Sequence, residues 1–273
     1  MHSSRRASEG LGVRHTKTRP SRLLYALVLI LALSYGLSRI GGLSGADTVV
    51  IEVFDGDTIE LSDGRKIRYI GLDAPETGGY RPAEYYGEQS KRLNSDLVLG
   101  KRVTVVTDIE TTDVYGRTLA YVFVDDTFVN EVLIREGAAL ALPYPPNLLY
   151  QDLFYAAMKQ ARTEEKGMWA NTDAWMIPQV EADEYIGLSK TIMGTVIASE
   201  TTDIGVFLNF GVDYTTDFTV FIQTSDLDAF YREGIEDPAR HYRGRRVEVT
   251  GTVTDKNGPS IRITSPCQIY IRP

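Results

Sequence analysis

Three short segments hold the side chains that phosphodiester cleavage requires: Asp55-Gly56-Asp57-Thr58, then Arg68 through Asp73-Ala74-Pro75-Glu76-Thr77, then Asp113-Val114-Tyr115-Gly116-Arg117. Cleaving a phosphodiester needs charge neutralised at the phosphate, a water activated, and cations placed where negative charge accumulates. Each segment alone has an ordinary explanation. Asp-Gly-Asp is a common turn, Arg68 fits a surface strand, and Arg117 fits a hairpin beside Gly116. Together they supply all three requirements.

Asp57 opens one strand-like run and Asp73 closes another, so the two carboxylates can converge on one hard cation. Without a cation, two facing carboxylates would repel. The backbone oxygen of Ala74 and waters complete such a shell, and so small a charge set predicts weak Ca²⁺ affinity, with Kd about 10⁻⁴–10⁻³ M. Glu76 is the candidate general base, and Pro75 before it stiffens the loop and restricts Ala74. Arg68 and Arg117 each offer a planar fork of donors to phosphate oxygens, which a lysine matches less well.

The elements that must carry these groups are legible from periodicity. Residues 47–72 alternate as a β-meander, with Asp-Gly punctuation at 55–56 and 63–64. Two further β-rich runs lie at 102–106 and 119–124. Helix signals cover 84–97, then 129–136 stopped by Gly137, then 148–166 stopped by Gly167. In the last of these, Leu149, Leu153, Phe154, Ala157, Met158 and Ala161 form a core-facing stripe. The expected architecture is mainly β with α (α+β): a small closed five-stranded barrel with three helices over 47–170. A stretch without periodicity, 171–188, reads as a linker. Residues 189–273 read as a second, OB-like barrel, with a hairpin turn at Asn257-Gly258 and a short helix near 227–232.

In that second unit Phe207, Phe210, Tyr214, Phe218 and Phe221 cluster in sequence, and Arg240, Arg243, Arg245 and Arg246 gather nearby. Two readings stand side by side. The aromatics and arginines form a platform for single strands, or the aromatics alternate into the core while His241 and its arginine neighbours form a solvated loop. Cys267, the single cysteine, excludes an intramolecular disulfide and a Cys-rich metal site. It is expected to be a small buried residue.

The 273-residue chain has a net charge of −8, divided unevenly. Residues 1–46 hold seven bases and one acid, leaving 22 basic and 36 acidic residues in the remainder, a net of −14. So acidic a body repels polyanions at long range, and any nucleic-acid site must be a local basic patch or a metal. Residues 1–22 form a basic leader expected in the cytoplasm. Residues 23–43, uncharged except for Arg39, read as a signal-anchor or signal peptide that puts the body in an extracytoplasmic space. Ser44 and Ala46 also permit cleavage and secretion. If uncleaved, the segment ties the protein to the membrane. A monomer is expected.

Residues 53–59, 68–77 and 115–121 resemble the three signature segments of the staphylococcal nuclease, or thermonuclease, family, and the resemblance covers about residues 48–170. It implies Ca²⁺ ligands at Asp57, Asp73 and the Ala74 carbonyl, a carboxylate base at Glu76, phosphate-binding arginines at Arg68 and Arg117, and substrate-facing aromatics at Tyr115 and Tyr144. The implied activity is that of a Ca²⁺-dependent endonuclease hydrolysing DNA, RNA or both. Ala74 stands where the prototype has a threonine, but the family uses that residue's backbone oxygen. Val114 replaces a lysine that grips terminal phosphate. The alternative is a nuclease-fold module that binds nucleic acid or protein without turnover. Residues 205–211 and 217–220 resemble OB-type nucleic-acid-binding domains.

Overall fold

Alternating apolar residues pair Val50–Val53 (β1), Thr58–Leu61 (β2) and Lys66–Tyr69 (β3) into the expected antiparallel meander. The computed structural model describes residues 48–79 and 82–272; the basic leader and apolar run at 1–22 and 23–43 lie outside the described residues. Among those described, no helix is long and apolar enough to cross a membrane.

Leu72–Asp73 (β4) follows the meander, then the helix Gly87–Val98 (α1), then Thr104–Val106 (β5) and Thr118–Val124 (β6). The sheet runs β1-β2-β3-β6-β5, with β3 and β6 parallel. The expected closed barrel is not completed by a continuous ladder. Because β5 has three residues, β1 meets the chain leading into it only through isolated bridges, Val49–Arg102 and Val50–Leu99. Ile59, Leu61, Ile67, Leu119 and Tyr121 fill the core.

Thr127–Phe128 (β7) leads into Val129–Arg135 (α2); Leu140–Ala141 (β8) and Gln151–Thr163 (α3) follow. The three expected helices are present, but α3 starts three residues after the predicted 148. Leu149 therefore lies outside it and is exposed, while Gln151, Phe154, Tyr155, Ala157, Met158 and Ala161 make its buried face. Gly137 follows the end of α2 as predicted, but α3 ends at Thr163, before Gly167, with Glu165 in the left-handed region; the two glycines nevertheless meet. Gly137 and Gly167 both adopt positive φ, and the Met168 N–H donates to the Gly137 carbonyl at 2.9 Å.

Residues 171–188 contain 3-10 segments and Ile177–Pro178 (β9), which pairs in parallel with Ser189–Thr195 (β10). Beyond lie Ala198–Thr201 (β11), Gly205–Asn209 (β12), Thr219–Gln223 (β13), the helices Leu227–Arg232 (α4) and Pro238–Tyr242 (α5), then Arg246–Asp255 (β14), Pro259–Arg262 (β15) and Ile269–Ile271 (β16). They enclose a second hydrophobic core. This sheet is also open, in the order β11-β12-β13-β15-β14-β10-β9.

Ser265 caps a 3-10 turn at Pro266 that separates β15 from β16. The aromatic cluster divides by alternation: Phe210 and Phe218 are buried, while Phe207 and Phe221 are half-buried and pack with ring centroids 4.8 Å apart. Around His241 the chain is helical, capped by the Asp237 side chain, and Arg240, Arg243, Arg245 and Arg246 are exposed. Cys267 is exposed, against expectation, because it rides that surface turn rather than a strand.

The two cores meet at a buried ion cluster. Arg162 of α3 lies against the rings of Trp169 and Tyr270, 4.6 and 3.8 Å from their centroids, and pairs with Glu248 of β14. Arg272 Nε also reaches Glu248, at 2.8 Å.

Candidate active site

The β2–β3 register sets Thr58 opposite Arg68, and the Tyr69 N–H donates to the Asp57 carbonyl at 2.9 Å. The first two signature segments are thus locked edge to edge. Arg68 pairs with Asp57, and its Nη2 lies 2.8 Å from Asp73 Oδ1. Asp57 is buried; its Oδ2 accepts the Ala74 N–H at 2.7 Å and its Oδ1 the Thr58 hydroxyl at 3.1 Å. The short β4–β8 pair fixes Asp73 against Leu140. Asp57, Arg68, Asp73 and Ala74 are therefore in direct contact, although 16 positions separate the first from the third in sequence.

Electrostatics bind in the third segment. Burial pushes the Asp55 carboxyl up, opposed by Arg68, by hydrogen bonds with Thr58, and by Arg117. Burial also raises the Asp73 carboxyl, with Arg68 opposing and Glu84 adding to the rise. Burial raises the Tyr144 hydroxyl first, then Glu110 and Asp113, while Arg117 and Arg68 both lower it. Arg68 and Arg117 thus both act through space on Tyr144 and on Asp55. In the β3–β6 register Arg68 is level with Leu119, and Arg117 directly precedes β6.

Arg117 is held in its own loop. Its Nε lies 2.7 Å from Asp113 Oδ2 and its backbone N–H donates to Asp113 Oδ1 at 2.9 Å. Its guanidinium sits 5.5 Å from the centroid of the largely exposed Tyr115 ring. Tyr144 is partly exposed. Glu76, half-buried after buried Pro75, is fixed through its backbone: its N–H donates to Glu84 Oε2 at 3.1 Å, and its carbonyl accepts the Glu84 N–H at 2.9 Å.

Several supporting residues escape a reading by hydrophobic period. The buried stripe of α1 is Gly87, Ser90, Asn94 and Val98, polar in its centre. Asn94 Nδ2 donates to the Asp55 carbonyl at 3.0 Å and its Oδ1 accepts the Tyr69 hydroxyl at 3.0 Å, so α1 grips the Asp-Gly-Asp turn. Ser90 Oγ donates to the Ala138 carbonyl at 2.7 Å. The helical spacing of small polar residues is the only sequence signal for this role.

The donor set suits a hard cation. Among the described residues no group of three or more His, Cys, Asp and Glu side chains is placed to hold a metal, so a cation here would have Asp57 and Asp73 as its charged ligands. Asp57 and Asp73 already converge on one positive charge, that of Arg68. Carboxylate oxygens match Ca²⁺ or Mg²⁺ and do not match softer metals.

The family described as staphylococcal nuclease homologue matches residues 66–171. A thermonuclease of Staphylococcus hyicus is 36% identical over 160 residues, covering 55% of this chain and 95% of that protein. A thermonuclease of Staphylococcus intermedius is 39% identical over 129 residues, 46% of this chain and 77% of the relative. An endonuclease of Bacillus subtilis is 36% identical over 124 residues, 43% of this chain and 59% of the relative.

Proposed function

The chain belongs to the staphylococcal nuclease family and is a nuclease, a hydrolase acting on nucleic acid, and on that footing we propose that it is an extracytoplasmic, Ca²⁺-dependent endonuclease with Glu76 as general base. The observation that carries this reading is the junction of Asp57, Arg68, Asp73 and Ala74. Asp57, Asp73 and the Ala74 carbonyl hold the cation. When bound, it supplies charge neutralisation at the scissile phosphate and makes an adjacent water more acidic.

The chain's own groups do the rest. Glu76, on a loop stiffened by Pro75 and pinned to Glu84, takes a proton from the attacking water. Arg68 and Arg117 offer N–H donors to the phosphate oxygens as charge grows there, and each such preorganised donor contributes about 3–4 kcal/mol. Asp113 holds the Arg117 guanidinium in place before substrate arrives. Tyr115 and Tyr144 border the arginines, where a nucleotide sugar or base lies.

Residues 23–43 carry the protein across or into a membrane with the basic leader inside. The nuclease body then acts as a monomer outside the cytoplasm, where millimolar Ca²⁺ suits a weak site. The test incubates the full chain with DNA and with RNA, in Ca²⁺ or in chelator, beside Glu76→Gln. Cleavage that stops in chelator and in the variant supports the mechanism. Metal-independent cleavage, or full activity of Glu76→Gln, defeats it. Cell fractionation, with the mass of the exported product, tests the address.

A further inference from the structure

Lys190 lies in β10, outside residues 66–171 that match the family, yet its ammonium pairs with Glu84 beside the candidate active site. Glu84 is the residue that brackets Glu76. One carboxylate oxygen of Glu84 meets Lys190 while the other accepts the Glu76 N–H at 3.1 Å, and the Glu84 N–H donates to the Glu76 carbonyl at 2.9 Å. Lys190 is mostly buried, with 15% of its side chain exposed, and its ammonium stands 5.9 Å from the centroid of the Tyr185 ring. Lys190, Glu84 and Tyr185 line a cleft of about 470 Å³ that also touches Asp73, Ala74 and Pro75.

We infer that Lys190 is a positioning residue for the nuclease reaction: the second β-rich unit holds the Glu76 loop in its working conformation through the chain Lys190, Glu84, Glu76. A carboxylate free to rotate accepts the Glu76 N–H only part of the time. An ammonium on its second oxygen fixes the rotamer, as charge-assisted hydrogen bonds do. The loop that must place one carboxylate against one water gains order from it, and a shift of about 1 Å in such a group costs on the order of 10²-fold in rate. The nuclease unit is thus braced at its base loop by a part of the chain that lies beyond the family match. The inference rests on the proposed role of Glu76.

The experiment uses the full chain with Lys190→Ala, Lys190→Gln, Lys190→Arg, Glu84→Gln and the double variant Lys190→Ala/Glu84→Gln. Two readouts are followed: steady-state cleavage, and hydrogen exchange of the backbone amides at residues 74–79 in metal-free protein. Positioning predicts a kcat lowered about tenfold in Lys190→Ala and Lys190→Gln with KM changed less than about twofold. It also predicts faster exchange at 74–79, recovery of both in Lys190→Arg, and a double variant no worse than the worse single one. Unchanged kcat and exchange in Lys190→Ala and Lys190→Gln would overturn the inference. So would a raised KM at constant kcat, which would make Lys190 a substrate contact. Should Ala unfold, Gln keeps most of the aliphatic stem and reads the same quantities. If Glu76→Gln keeps full activity, the assigned base is wrong, while the exchange measurement still decides whether Lys190 orders the loop.

Discussion

Arg68 Nη2 stands 2.8 Å from Asp73 Oδ1, and the same guanidinium pairs with Asp57. The arginine assigned to the phosphate therefore bridges the same two carboxylates that a divalent cation would share. Cation and arginine compete for the same oxygens. Arg68→Met should consequently bind Ca²⁺ more tightly in the absence of nucleic acid, by up to about tenfold, or ~1.4 kcal/mol. Cleavage should fall by about 10²–10³. Titration calorimetry and an initial-rate assay on one preparation read both. Weaker Ca²⁺ binding in the variant would show that the arginine supports the cation site.

Arg117 depends on Asp113, whose carboxylate accepts the Arg117 Nε–H and the backbone N–H groups of Arg117 and Tyr115. Burial pushes the Asp113 carboxyl up, but these hydrogen bonds outweigh it and hold the group below its ordinary value. A carboxyl depressed in the folded state adds stability that is full above its unfolded value, about 3.9, and is lost as pH falls through the lower folded value. Asp113→Asn should cost about 1 kcal/mol at pH 7 and less near pH 3, below the unfolded value of about 3.9. Thermal melts of both proteins at the two pH values test this. A gap that widens on acidification would reverse the sign and refute the argument.

Gly87→Ala sets two physical effects against each other. In an ordinary helix the change favours the helix by about 0.5–1 kcal/mol. Here a Cβ at position 87 runs into the backbone carbonyls of Glu76 and Pro75. Contact with fixed backbone outweighs propensity, so the variant should lose at least about 1 kcal/mol and lower kcat more than it raises KM, because the displaced segment carries Glu76. Chemical denaturation and steady-state kinetics decide. A more stable variant with normal kcat would mean that the loop can yield.

What was legible in the sequence divides along these lines. Asp57 directly precedes β2, and Arg68 and Asp73 sit in β3 and β4, at the ends of apolar runs that the sequence shows, so the meander and their approach to one another were readable. The polar stripe of Ser90 and Asn94 was not, because hydrophobic periodicity carries no signal where a helix buries hydrogen-bonding groups. The start of α3 was misplaced because Leu148 and Leu149 continue its apolar spacing yet are exposed in the preceding turn. Cys267 was misjudged because the Pro-led turn between β15 and β16 carries it to the surface. The Lys190–Glu84 contact joins residues 106 positions apart, and no local pattern announces it.

The join between the two cores gives the last prediction. Glu248 is 3% exposed and accepts from Arg272 while pairing with Arg162, itself packed on Trp169 and Tyr270. Glu248→Ala leaves the Arg162 guanidinium buried without its carboxylate. Burial lowers Arg162 to about 10, still well above neutral pH, so at pH 7 it cannot relieve the cost by releasing its proton. The cost should be about 3–5 kcal/mol, the usual result of breaking one side of a buried pair. Arg162→Met together with Glu248→Leu removes both charges and keeps the volume, and Arg272, partly exposed and 3.9 Å from Asp173, can turn to that acid. The double variant should therefore recover most of the loss. Urea denaturation of the three proteins reads the order wild type, double variant, Glu248→Ala from most to least stable. A double variant weaker than Glu248→Ala would mean that Arg162 contributes through its ring contacts, and that the carboxylate is incidental to the join.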